Sequence, residues 1–278
     1  MEIATENKKI KVNDVTLWVD DAGAGAIPII FIHGFPFDKS SWEPQMTFFK
    51  KTHRVIAYNI RGFGVSPAGT EKKSIPLFAD DLVGLMDGLG ISKAVVCGLS
   101  MGGYILLNAV YRYPERFAGV ILCDTQCIAD SEEAKEKRKQ TILEIIQAKG
   151  LEKFADGFVN NVFSKNTLEH KKRLVDKIKN TILATPQETI TETLSALAER
   201  ADMCASLDEI EVPALIICGR EDKVIPLVQS EFLQKAIGSA TLHIIEKAGH
   251  LSNLERPDEF NKALSDFLVR MPLPEMAF

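Results

Sequence analysis

The pentapeptide Gly98-Leu99-Ser100-Met101-Gly102 sets a serine between glycines, directly after the apolar run AVVC and directly before a helical pattern. A strand that turns sharply into a helix at a serine holds the hydroxyl in a strained, exposed position, and only residues without bulky side chains fit around it. The glycines two before and two after Ser100, followed by Gly103, satisfy that demand. Backbone N–H groups at the helix start would face any anion developing there. A serine hydroxyl is a weak nucleophile until a base takes its proton. His250 is the candidate base, in Ala248-Gly249-His250-Leu251, between the strand-like TLHIIE and the last helical pattern. A base of this kind needs an acid to hold its tautomer and stabilise the imidazolium. Asp222, in Gly219-Arg220-Glu221-Asp222 after the run ALIIC, is the first choice, with Glu221 beside it and Asp124 after GVILC as competitors. His33 is expected to be structural, His243 to pack or face solvent, and His53 and His170 have no supporting context.

An oxyanion formed at Ser100 needs two donors. One is the N–H of Met101 and the other is expected from His33-Gly34-Phe35-Pro36, where Gly34 permits a close turn and the N–H of Phe35 is the choice. Pro36 has no N–H to give. Gly34, Phe35, Met101 and Leu251 adjoin these positions and are expected to floor a substrate pocket.

These residues must be brought together by the elements around them. Apolar or alternating runs at 9–12, 16–20, 27–32, 54–58, 94–97, 119–123, 214–218 and 241–245 read as strands, the first two forming a hairpin turned at Asn13-Asp14. Helical patterns at 41–50, 75–89, 101–111, 229–237 and 257–269 alternate with them. Such alternation predicts an α/β fold, a mostly parallel eight-stranded sheet covered by helices on both faces. From 129 to 204 the alternation stops and only helical periodicity remains, with successive faces at Ile142/Ile145/Ile146, Phe154/Phe158, Ile178/Ile182 and Ile190/Leu194. The expected division is a core of residues 1–128 and 206–278, with residues 129–205 inserted as a helical cap. A cap is favoured because ligands in such sheets sit outside the carboxyl ends of the strands. Within it, Lys137 and Arg138 belong to the charge run EEAKEKRK, which reads as a solvated face but could also reach a substrate carboxylate.

Bulk properties exclude several functions. A net charge of -5 argues against nucleic-acid binding. No apolar run approaches the roughly 20 residues of a membrane span, and the N-terminal MEIATENKKIKVND lacks the apolar stretch of a secretory signal. Cys97, Cys123, Cys127, Cys204 and Cys218 show no CxxC pair and are expected to be buried, reduced thiols of a cytoplasmic protein. The scattered histidines give no metal-ligand spacing, and no cofactor is expected. Gly23-Ala24-Gly25 lacks both the following helix and the lysine of a phosphate loop. The C-terminal MPLPEMAF reads as a loose tail.

With HGFP at 33–36, RGFGVS at 61–66, GLSMGG at 98–103, GREDKVIP at 219–226 and AGHLSNLERP at 248–257, the chain resembles the α/β-hydrolase superfamily over nearly its whole length. The order serine, aspartate, histidine is the one that fold uses. The SMGG and HGFP segments are similar to 3-oxoadipate enol-lactonases, cofactor-free haloperoxidases (perhydrolases) and small carboxylesterases. The resemblance implies hydrolysis of a small ester or lactone through an acyl-enzyme. Perhydrolysis, C–C bond hydrolysis and hydroxynitrile lysis remain as alternatives on the same residues, as does a slow-turnover ligand receptor. Serine at position 100 argues against haloalkane dehalogenases and epoxide hydrolases, which place aspartate there. Asn59 stands where relatives commonly carry aspartate, two residues before Arg61, and is expected to alter local polar pairing rather than chemistry.

Overall fold

The computed structural model describes residues 4–271. Of the expected loose tail, residues 271–278, all but Met271 lie outside the described residues. The hairpin β1 (Thr5–Val12) and β2 (Val15–Ala22) turns at Asn13, whose φ of 51° is the left-handed conformation that asparagine tolerates. There follow β3 (Ile29–Ile32), a 3₁₀ turn at Lys39–Trp42, α1 (Glu43–Phe49), β4 (Val55–Tyr58), α2 (Ile75–Gly88), β5 (Ala94–Leu99), α3 (Met101–Arg112) and β6 (Phe117–Cys123). The helical stretch expected over 41–50 is thus divided. Asp38 caps the 3₁₀ turn by accepting the Ser40 N–H at 2.9 Å, and α1 begins afresh around Pro44. Strand β3 begins after Pro28, whose missing N–H cannot join a ladder.

Five helices come next without a strand: α4 (Glu132–Ala148), α5 (Glu152–Val162), α6 (Lys165–His170), α7 (Lys172–Ala184) and α8 (Gln187–Ala198). Serine side chains cap two of them, Ser131 accepting from Ala134 N–H and Ser164 from Thr167 N–H. The sheet resumes with β7 (Ala214–Gly219), α9 (Leu227–Ala236), β8 (Ala240–Ile245), α10 (Ser252–Glu255) and α11 (Pro257–Arg270).

The eight strands order as β1-β2-β4-β3-β5-β6-β7-β8, with β1 and β2 antiparallel to their neighbours and all later pairs parallel. Alternate residues of the central strands feed two cores. Ile30, Ile32, Ile56 and Val96 meet α2 and α3, whereas Ile29, Phe31, Val55 and Val95 meet α1 and α11. Burial on both faces is why these strands read as continuous apolar runs.

The helical insertion packs on the sheet's carboxyl-end loops. Phe154 and Phe158 of α5 stand 6.2 and 6.1 Å, ring to ring, from Phe35. Ion pairs tie the insertion down at Lys73–Glu192, Lys72–Glu199 (2.8 Å) and Lys177–Glu43 (2.5 Å). The expectation of five reduced thiols is corrected here. Cys127 and Cys204 form a disulfide with a Cα separation of 5.0 Å, while Cys97, Cys123 and Cys218 are free and buried. The two bonded cysteines are 77 residues apart in sequence but mark where the chain leaves the core and returns, and the Met203 N–H donates to the Cys127 carbonyl at 2.9 Å. That proximity exists only once the insertion closes on itself, so spacing could not reveal it. Among the described residues no helix is long and apolar enough to cross a membrane.

Candidate active site

Ser100 joins β5 to α3 with φ 53° and ψ -113°, in the left-handed half of backbone space where a non-glycine residue is strained. The neighbours explain the glycines. A Cβ on Gly98 would lie 2.3 Å from the Gly102 carbonyl oxygen, and one on Gly102 would lie 2.4 Å from that of Ile32. The turn is held by Ser100 N–H donating to the Cys123 carbonyl (2.9 Å) and by Thr125 Oγ1 donating to the Ser100 carbonyl (2.8 Å).

Three sequence-chosen side chains meet. Ser100 Oγ lies 2.9 Å from His250 Nε2, and His250 Nδ1 lies 2.7 Å from Asp222 Oδ2. The tautomer that serves both contacts donates from Nδ1 to the carboxylate and accepts from the serine hydroxyl. Asp222 Oδ1 in turn accepts the N–H groups of Val224 (2.8 Å) and Ile225 (2.9 Å), so the carboxylate cannot swing away without losing them. The His250 and Asp222 side chains are almost wholly buried. Burial works against the imidazolium, but the Asp222 charge and hydrogen bond, backed by Asp124 and Glu255, outweigh it and hold His250 above its ordinary pKa.

Of the competitors, Glu221 is half-buried, and Asp124 is fully buried with its carboxylate already engaged. Asp124 accepts from Gly219 N–H at 2.8 Å and from Ser252 Oγ at 2.5 Å, and makes no hydrogen bond to His250 among the described residues. Burial, then the nearby Asp222 charge, push the Asp124 carboxyl well above its usual range. His33, expected to be structural, is not among the residues that line the cavity and is engaged with backbone on both ring nitrogens. Fully buried, it pairs with the Gly34 carbonyl through Nδ1 (2.9 Å) and accepts the Ile60 N–H at Nε2 (3.0 Å), and burial drops its pKa to about 4. His243 is half-buried on β8, 3.9 Å from Glu259. Asn59 Oδ1 accepts the Lys39 N–H at 2.9 Å.

The loop bearing Phe35 backs directly on the serine. A Cβ on Gly34 would lie 3.2 Å from Ser100 Cβ. No turn, loop or side-chain acceptor among the described residues takes the N–H of Phe35 or Met101. Ser100, His250, Phe35 and Met101 all line a cavity of about 610 Å³ beneath the insertion. Two of the expected floor residues do not. Gly34 is covered by its own neighbours, and Leu251 points into the core between sheet and α11, fully buried. Leu251 follows His250 in sequence, but the two side chains face opposite ways. The cavity instead gains Phe154, Phe158, Leu194 and Leu197 from the insertion, Tyr104 from α3, and Val224 and Ile225 just beyond Asp222. Periodicity marks Phe154 and Phe158 as an apolar helix face but does not show what that face covers.

The charged groups at the cavity are mostly spoken for. Arg138 pairs with Asp130 (2.5 Å), which also holds Arg200 (2.6 Å), and Lys153 pairs with Glu144 (3.0 Å). Lys137 is exposed and has no ion-pair partner among the described residues. No cluster of metal-ligating side chains occurs among the described residues.

The family defined by the alpha/beta hydrolase fold matches residues 27–257, and the chain belongs to it. It is 31% identical over 242 residues to a 3-oxoadipate enol-lactonase of Acinetobacter baylyi, covering 87% of this chain and 88% of that protein. Among solved structures it superposes on a thermophilic esterase from Thermogutta terrifontis with a TM-score of 0.90 at 31% identity, covering 96% of this chain and 99% of the esterase. It superposes on the enol-lactonase from Burkholderia xenovorans with a TM-score of 0.87 at 30% identity, covering 94% and 100%. The likeness expected from the motifs is therefore present along almost the full length, with both lactonases and esterases among the relatives.

Proposed function

We propose that the chain is a serine hydrolase that cleaves a small, neutral carboxylic ester or lactone through an acyl-enzyme. The observation that carries this reading is the hydrogen-bonded line Ser100–His250–Asp222, with the serine end opening into an apolar cavity. Ser100 Oγ attacks the substrate carbonyl while His250 Nε2 takes its proton. The N–H groups of Phe35 and Met101 receive the charge that develops on the carbonyl oxygen. His250 returns the proton to the leaving oxygen as the C–O bond breaks. Water then attacks the acyl group with His250 again as base, and Ser100 recovers its proton. Asp222 orients the imidazole and stabilises its charged form. No step requires a metal or an organic cofactor.

The helical insertion, residues 129–205, acts as the cap of this site. Its phenylalanines exclude water above the serine, which strengthens the oxyanion contacts. The preference for neutral substrates follows from the ion pairs that occupy Arg138 and Lys153. An enol-lactonase reading has one specific observation in its favour, Lys137 standing unpaired at the cavity. Perhydrolysis or C–C bond hydrolysis would use the same three side chains. An activity panel of short esters, simple lactones and a carboxylate-bearing enol-lactone separates these. Neutral esters should turn over repeatedly with wild type and not with Ser100→Ala. A clearly higher kcat/KM for the carboxylate-bearing lactone would replace the neutral-ester reading, and a single slow burst would indicate a receptor.

A further inference from the structure

Glu255 ends the short helix α10 and is 1% exposed, a carboxylate buried at the seam between the His250 loop and the helical insertion. Its two oxygens face opposite ways. Oε1 accepts the Gly249 N–H at 2.8 Å, one residue before His250. Oε2 accepts both the N–H (3.0 Å) and the hydroxyl (2.6 Å) of Ser164, the residue that caps α6 of the insertion. Beside this bridge the His250 N–H donates to the Val162 carbonyl at the end of α5, at 2.8 Å. The backbones are pressed together here, since a Cβ on Gly249 would sit 2.7 Å from the Val162 oxygen and 2.8 Å from the Ser164 nitrogen. Lys171 closes the seam from the far side by donating to the Glu255 carbonyl at 2.5 Å.

A buried carboxylate is costly unless its lone pairs are filled. Here three donors fill them, and all three belong either to the loop that carries His250 or to the turn between α5 and α6. We propose that Glu255 is a positioning residue: it locks the His250 loop to the insertion, so that the imidazole is held at Ser100 only while the α5–α6 turn is seated. The competing reading is a structural tie whose loss lowers stability alone. The proposal rests on His250 being the general base, but it concerns the geometry of the loop, which can be read without substrate.

The test compares Glu255→Gln and Ser164→Ala with wild type. In Glu255→Gln an amide NH₂ must face an N–H donor on one side, so one arm of the bridge is lost. In Ser164→Ala the hydroxyl contact to Oε2 goes together with the α6 cap at the Thr167 N–H, while the Ser164 N–H keeps its bond to Oε2. The first readout is the low-field proton resonance of His250 Nδ1–H in its bond to Asp222, identified by its absence in Asp222→Asn. The second is the division of any kinetic loss between kcat and KM on a short ester. The third is hydrogen exchange at the Gly249 and Ser164 amides. Glu255→Gln should fold, lose or broaden the resonance, exchange faster at both amides, and lose kcat on the order of 10- to 100-fold with KM changed less than about twofold, as expected when a catalytic group is displaced by a fraction of an ångström. Ser164→Ala should lose kcat by a few-fold in the same parameter. A Glu255→Gln protein with the resonance intact and kcat within about twofold of wild type overturns the proposal, even if its melting temperature falls. Should Glu255→Gln fail to fold, Ser164→Ala decides: an unchanged resonance, unchanged kcat and unchanged Gly249 exchange refute the coupling. If no ester is turned over by wild type, the functional reading fails while the resonance and exchange still judge Glu255.

Discussion

His250 is subject to two opposed influences, and their balance fixes how activity should depend on pH. Burial favours the neutral ring, while the Asp222 carboxylate at 2.7 Å favours the charged one and wins. A general base must be neutral, so kcat/KM should fall on the acid side with a midpoint above the ordinary histidine value of 6.5. Asp222→Asn should move that midpoint down and lower kcat on the order of 10³- to 10⁴-fold with the fold intact. Asp124→Asn should change kcat by less than about threefold, because its carboxyl bonds Gly219 and Ser252 rather than the imidazole. The reverse pattern in steady-state kinetics of the two variants would transfer the orienting role to Asp124. Residues of this kind were legible because each chemical group sits in a turn that restricts its neighbours: glycines around Ser100, a strand end before Asp222, Ala-Gly before His250. Glu255 is not legible in this way: it lies within the segment AGHLSNLERP, but only the folded seam brings three donors onto it.

Among the elements, the turn after β3 joins fold and site most tightly. His33 bonds the Gly34 carbonyl on one side and receives the Ile60 N–H on the other, which only the neutral ring can do. Its pKa in the folded chain is about 4 against the ordinary 6.5. The unfolded chain therefore binds the extra proton between these values, and stability rises with pH across them. The contribution is fully present above about pH 6.5 and is lost as pH falls towards 4, amounting to no more than about 3 kcal/mol. The stability gap between wild type and His33→Asn, from urea unfolding, should narrow across that interval; a constant gap would contradict the assignment. Strand positions were readable because double-sided burial leaves uninterrupted apolar runs, as in IIFI and VIAY. The orientation of Leu251 was not, because adjacency to His250 says nothing about which way a loop residue turns.

For the whole molecule, the decisive feature is an insertion anchored at both roots and laid over the serine. The Cys127–Cys204 disulfide joins those roots. Thiol titration of the unfolded, unreduced chain should find the three free cysteines, and reduction should lower stability by about 2–4 kcal/mol on a loop-entropy argument. Five thiols before reduction would contradict it. That the insertion is helical was visible from periodicity, but its closure on itself, and hence the disulfide and the cavity wall, depends on contacts between segments far apart in sequence. The cavity's charge pattern predicts that Lys137→Ala leaves KM for a neutral ester within about twofold. A selective rise in KM for a carboxylate-bearing lactone would instead place that anion at Lys137. The proposed chemistry depends on one nucleophile, and covalent labelling addresses it most directly. A fluorophosphonate should add one phosphonyl group to the native chain, mass spectrometry should locate it on Ser100, and ester turnover should be lost in step with labelling. His250→Ala should slow the labelling severely. An adduct on any other residue, or full labelling of Ser100 with ester turnover undiminished, would contradict the account.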